Sequence, residues 1–168
     1  AVLQAAARHQ VVVEITEYPR PGRDAHGVIL EVLGRRGDPG VALASVIRQF
    51  GFPTEFPEDA LEDARRAVAG YDPDRVLEGR EDLRGQVIIT IDPDTARDFD
   101  DAISIRPLGD GRVELGVHIA DVAHFVREDG ALDRAARERS NSVYFPNHVI
   151  PMLPEILSNG LCSLQEAQ

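Results

Sequence analysis

Apolar and polar positions along the chain change period several times, and each change marks an element. Residues 11–17 (VVVEITE) and 28–33 (VILEVL) are β-branched or aliphatic runs with interspersed charges. The Pro- and Gly-rich YPRPGRDAHG between them predicts a hairpin loop. Two strands alone are not stable, so the hairpin must complete a sheet from elsewhere or pack on the next segment of the chain. After the loop GRRGDPG, the segment VALASVIRQF places Val41, Leu43, Val46, Ile47 and Phe50 at helical spacing. A second helix is expected from about Pro57 to Gly70, with Glu58, Asp59, Glu62 and Asp63 near its start and Arg65 and Arg66 near its close. The acidic group reads most simply as a solvated helix face.

Residues 71–85 form a charged connector with room for one helical turn. The run QVIITI (86–91) predicts a strand buried on both faces. AISI (102–105) predicts another, followed by the turn PLGDGR and a third strand over 113–120, whose imperfect alternation suggests burial on both sides. Gly130 to Arg139 predicts a helix, and the Pro-punctuated remainder predicts loop and short turns. The fold class is therefore mixed α/β (α+β).

Composition narrows the chemistry. At 168 residues with 43% hydrophobic positions, the chain can bury a core. It has no run of about 18 apolar residues and no signal-peptide pattern at its start. Its single cysteine, Cys162, excludes an internal disulfide framework and a four-cysteine zinc site, and suits a reducing cytoplasm. All 18 basic residues are Arg, against 29 Asp and Glu, for a net charge of -11. A strong general phosphate binder is usually basic, so a nucleic-acid role would need a local site, a metal or further parts of a protein. The start at Ala1 without Met and the stop at Gln168 lead us to expect an internal segment.

IDPDTARDFDD (91–101) carries five acids: Asp92, Asp94, Asp98, Asp100 and Asp101. Two like charges ~4 Å apart repel by about 4 kcal/mol at an effective dielectric of ~20, so such a cluster protonates in part or recruits a cation. Oxygen-only ligands favour Mg²⁺, Mn²⁺ or Ca²⁺. An EF-hand loop starting at Asp92 would need Asp or Asn, Gly and Glu where Ala96, Arg97 and Ile103 stand, and a start at Asp98 fails as well. More carboxylates than one ion needs suggests two-metal phosphoryl transfer. The alternative is a solvated acidic turn between strands, against which stand the neighbouring apolar run and the enclosed Phe99.

With its neighbours, the stretch resembles the ribonuclease II and ribonuclease R family of 3′-to-5′ exoribonucleases. The resemblance rests on TIDPDTARDFDDAISI (90–105), GVHIADVAHFV (116–126) and RSNSVYFPNHVIPMLPEILSNGLCSL (139–164), in that order, and is nearer the ribonuclease R branch. It implies that residues 1–33 end an OB-fold cold-shock domain, 34–85 form a helical connector and 86–168 begin the catalytic domain. The family's D-x5-D-x-D-D pattern falls on Asp92, Asp98, Asp100 and Asp101, which leaves Asp94 to the turn after Pro93. Tyr144 matches the tyrosine that stacks on the 3′-terminal base, a role suited to a sequence-tolerant enzyme. Also implied is Mg²⁺, with Mn²⁺ as a substitute, held by Asp92, Asp98 and Asp101. Adjacent residues of an extended chain point opposite ways, which makes Asp100 the candidate to orient water or a second metal.

The reaction expected from the resemblance is stepwise hydrolysis of single-stranded RNA to nucleoside 5′-monophosphates. The rest of the catalytic domain, with cold-shock and S1 domains, is expected elsewhere in a cytoplasmic parent chain, and the segment alone is expected to be inactive. His118 and His124 match no zinc spacing and read as core or hydrogen-bonding residues. Cys162 reads as a buried small residue. Two alternatives remain: a non-catalytic RNA-binding or scaffolding member of the same family, and a stand-alone metal-binding or interaction domain.

Overall fold

The computed structural model describes residues 5, 7–73, 75 and 79–166. It divides into two compact units, 1–52 and 53–168.

In the first unit, β1 (His9–Glu17) and β2 (His26–Arg35) pair antiparallel as the sequence predicts, with irregularities after Gln10, Val12 and Ile15. Among the described residues they form a two-stranded sheet and no closed barrel. Helix α1 (Val41–Phe50) folds back against them. Gly34 permits this: it sits at φ 132°, and a Cβ there would lie 2.7 Å from Cγ2 of the buried Val41. The Arg48 guanidinium donates to both Glu31 carboxylate oxygens at 2.7 and 3.2 Å, linking α1 to β2. Gly51 ends the helix at φ 66°, its N–H donating to the Ile47 carbonyl.

In the second unit, α2 (Glu58–Ala69) packs on α4 (Ala131–Arg139). Ala60 and Ala64 are fully buried, so small side chains set the close approach of the two helices. The core comprises Ala64, Leu132, Ala136, Leu153, Leu157 and Cys162, with Phe125 and Val126 packed against it. A short helix α3 (Val122–Phe125) precedes α4, and a π-helical turn (Leu157–Leu161) follows a small hairpin of β5 (Val143–Phe145) and β6 (His148–Ile150). The rest of the segment after residue 140 is loop and turn, as expected, with this small hairpin as the addition.

Glu58, Asp59 and Glu62 are exposed as the solvated-face reading expects, but Asp63 departs from it. Its Oδ2 accepts from the backbone N–H groups of Ala131 and Leu132 at 3.0 and 3.3 Å, so a side chain of α2 caps α4. At the other end of α4, Arg139 ties the helix to neighbouring loop segments. Its guanidinium donates to the carbonyls of Pro53, Glu55 and Pro151 and lies 3.7 Å over the Phe56 ring. Burial lowers its pKa from the ordinary Arg value.

The remaining pair, β3 (Asp101–Gly109) and β4 (Arg112–Ile119), is antiparallel with Ile103 opposite Val117 and Ile105 opposite Leu115. Two expectations fail here. Residues 86–91 form no strand: only Ile89 pairs, in an isolated bridge to Ile103, while Val87 and Ile91 are exposed. Nor is β4 buried on both faces, since Val113, Leu115, Val117 and Ile119 are each 60–67% exposed. The apolar runs of β3 and β4 do form sheet, but no second layer covers them among the described residues. The helical turn expected within 71–85 falls partly on residues 74 and 76–78, outside the described residues.

Candidate functional site

The acidic stretch runs from the Ile89–Ile103 bridge to the first residue of β3. Two backbone bonds of 2.9 and 2.8 Å anchor its start to the sheet. A turn closed by Ala96 N–H on the Pro93 carbonyl at 2.8 Å contains Asp94, in the place the sequence assigns it. At the far end, Ala120 N–H donates to the Asp100 carbonyl at 3.0 Å, continuing the β3–β4 ladder up to Asp100. Asp100 and Asp101 are thus consecutive in paired, extended chain and alternate in direction.

The four aspartates of the pattern share one electrostatic neighbourhood. Burial first, then the charges of Asp98, Asp101 and Asp92, raise the pKa of Asp100 above the ordinary carboxylate value. Tyr144, delivered by β5 from 46 residues away, donates its hydroxyl to Asp98 Oδ2 at 2.5 Å. That bond is the first cause of a raised Tyr144 pKa, followed by desolvation and the Asp98 charge. The Tyr144 side chain remains open to solvent, the residue being 62% exposed.

Among the described residues, no three His, Cys, Asp or Glu side chains converge as a metal-holding group. The donor chemistry nevertheless fits a hard divalent cation: every group is a carboxylate oxygen, and mutual repulsion is already expressed in the raised proton affinity of Asp100. His118 does not join the acids. Its Nε2 lies 2.9 Å from Ser104 Oγ, on the sheet face opposite the exposed apolar one, in keeping with a hydrogen-bonding role. His124 packs edge-on against Phe125 at 4.9 Å.

Sequence reasoning missed two groups beside the cluster. Ser163 is only 5% exposed. Its hydroxyl accepts from Phe99 N–H at 2.9 Å and donates to the Arg97 carbonyl at 3.1 Å, spanning the backbone on both sides of Asp98. Asp121, at the start of α3, pairs with Arg80 across 41 residues, and this hydrogen bond lowers its pKa. Neither pairing has a local sequence signal, because both join segments far apart in the chain. Cys162 lies in the core behind the site. Burial, with smaller contributions from the charges of Asp100 and Asp121, raises its pKa to about 11.

A family model for the RNB domain matches residues 80–168, and one for a cold shock domain matches residues 1–57. Ribonuclease R of Thermotoga maritima is 47% identical over 166 residues, covering 98% of this chain and 23% of that protein. The structure of Mycoplasma genitalium RNase R in complex with double-stranded RNA aligns with a TM-score of 0.85 and 32% identity, covering 98% of this chain and 29% of that one. Yeast Ssd1, a pseudonuclease, shares the fold at a TM-score of 0.68 and 22% identity, covering 96% of this chain and 20% of its own. The chain spans about a quarter of the length of the Thermotoga relative. The RNB match over more than half of the chain, with ribonuclease R relatives covering nearly all of it, places this chain in the RNB domain family as a segment of the ribonuclease R kind.

Proposed function

We propose that this chain is part of a longer Mg²⁺-dependent exoribonuclease, in which 1–33 end a cold-shock domain, 34–85 connect, and 86–168 begin the catalytic domain. The substrate is single-stranded RNA, degraded from its 3′ end. The observation that carries the reading is the Tyr144 hydroxyl on Asp98 within a group of four mutually interacting aspartates. It brings a solvent-open aromatic ring, able to stack on a terminal base of any identity, to the carboxylates that would handle its phosphate.

In this reading Asp92, Asp98 and Asp101 hold the cation, with Mn²⁺ as a substitute. Magnesium, when bound, supplies neutralisation of phosphate charge and activation of water. Asp100, whose proton affinity is raised by burial and then by its acidic neighbours, orients the attacking water. The water oxygen adds to the terminal phosphorus, the bond to the penultimate 3′ oxygen breaks, and that oxygen takes up a proton. A nucleoside 5′-monophosphate leaves, and the shortened RNA ends in a 3′ hydroxyl. The rest of the catalytic domain and additional cold-shock and S1 domains complete the RNA path in a cytoplasmic parent protein, and the 168-residue segment alone is inactive.

A non-catalytic, RNA-binding member is the second reading, favoured by the fold shared with a pseudonuclease. One substitution separates them. In the full-length protein, Asp100→Asn should abolish mononucleotide release from single-stranded RNA, followed by thin-layer chromatography, while leaving RNA binding within about twofold. Near-normal turnover in that variant, or no turnover in the wild type with Mg²⁺, would reject the catalytic reading.

A further inference from the structure

Asp98 differs from the other three aspartates in being held from two directions. Its backbone is fixed by Ser163, which uses its hydroxyl as both acceptor and donor, on Phe99 N–H and the Arg97 carbonyl. Two more bonds reinforce this stitch: Leu164 N–H donates to the Phe99 carbonyl at 2.8 Å, and the Gln165 amide donates to the Arg97 carbonyl at 3.0 Å. Segment 163–165 is itself anchored by Cys162 and Leu157 in the core. The Asp98 side chain is fixed at the other end by the Tyr144 hydroxyl on Oδ2.

We infer that the hydroxyls of Tyr144 and Ser163 are positioning groups that together preset the Asp98 carboxylate for a divalent cation. The inference rests on the proposed metal-binding role of Asp98 and goes beyond it, because it assigns Tyr144 a second task separate from base stacking. With the flanking peptides fixed and one oxygen occupied, the two side-chain torsions of Asp98 are set before any ligand arrives, and its other oxygen remains available. A carboxylate left to rotate would lose that freedom on binding, at a cost in affinity. The neutral phenol donor also satisfies one Asp98 oxygen without adding charge to a cluster that already repels itself.

The ring and the hydroxyl of Tyr144 separate cleanly by mutation. In the full-length protein without RNA, Mn²⁺ affinity is measured from the free-ion electron paramagnetic resonance signal, and the smallest RNA end product is measured on a sequencing gel. Tyr144→Phe keeps the ring, so we expect Mn²⁺ affinity to fall roughly 10- to 100-fold with the end product unchanged. Tyr144→Ala should show the same loss together with a longer end product. Ser163→Ala should weaken Mn²⁺ binding comparably, and Ser163→Thr, which keeps the hydroxyl, should restore most of it.

Wild-type Mn²⁺ affinity in Tyr144→Phe, when Asp98→Asn has lost binding, would overturn the inference while leaving Asp98 as a ligand. Tighter binding in Tyr144→Phe would overturn it as well, by showing that the hydroxyl competes with the cation. Unchanged binding in Asp98→Asn would remove the metal reading itself.

Discussion

Within the unit of residues 53–168, the helical side and the sheet side each present an apolar face, yet only one of them is closed. Leu132, Leu153 and Leu157 lie buried between α2, α4 and the π-helical turn, Leu157 with no exposure at all. On β3 and β4, Ile105, Val113, Leu115, Val117 and Ile119 form an equally apolar face that stays more than half exposed. The opposite sheet face contains the buried Ala102 and the Ser104–His118 pair. A hydrophobic pattern states which side chains favour burial; their cover depends on elements that can lie far away in the sequence or outside it.

The contrast can be tested from its strongest side to its weakest. Leu157→Ala removes the most buried large side chain and should destabilise the chain by about 2–5 kcal/mol in urea unfolding. A loss well under 1 kcal/mol would mean the helical core is not the closed side. Asp63→Ala removes the cap that α2 lends to α4 and should cost about 1 kcal/mol, with Asp63→Asn retaining much of the effect as an acceptor. An unchanged midpoint would show that water serves the Ala131 and Leu132 amides equally well. Leu115→Ser on the open face should move the midpoint by less than ~0.5 kcal/mol in the 168-residue chain. It should also reduce self-association in sedimentation runs, because large exposed apolar patches promote it. A destabilisation of the Leu157 size would mean that the sheet face is covered in solution.

Legibility in the sequence followed the distance over which each feature is decided. Helices α1, α2 and α4 were readable because their periodicity and flanking Gly and Pro act within one or two turns. The acidic cluster was readable because Asp98, Asp100 and Asp101 are neighbours in the chain, which makes their repulsion unavoidable. The run 86–91 misled because β-branched residues look alike whether or not a partner strand is present, and only Ile89 finds one. Asp63 on α4, Ser163 across Asp98 and Arg80 on Asp121 are contacts between segments 41 to 69 residues apart, and nothing local announces them. Tyr144 stood out through family resemblance alone; its hydroxyl bond to Asp98 became visible only in three dimensions.

The placement of Cys162 has a practical consequence for spectroscopy. Cys162 is 2% exposed and burial pushes its thiol up to about 11, so the reactive thiolate is scarce at neutral pH. For labelling chemistry this 168-residue chain therefore behaves as if it had no reactive thiol, although it contains a cysteine. A cysteine introduced at an exposed position such as Glu155 would take up a spin label or fluorophore selectively. The native core would not have to be mutated first, and a single probe could then report on the surroundings of the aspartates.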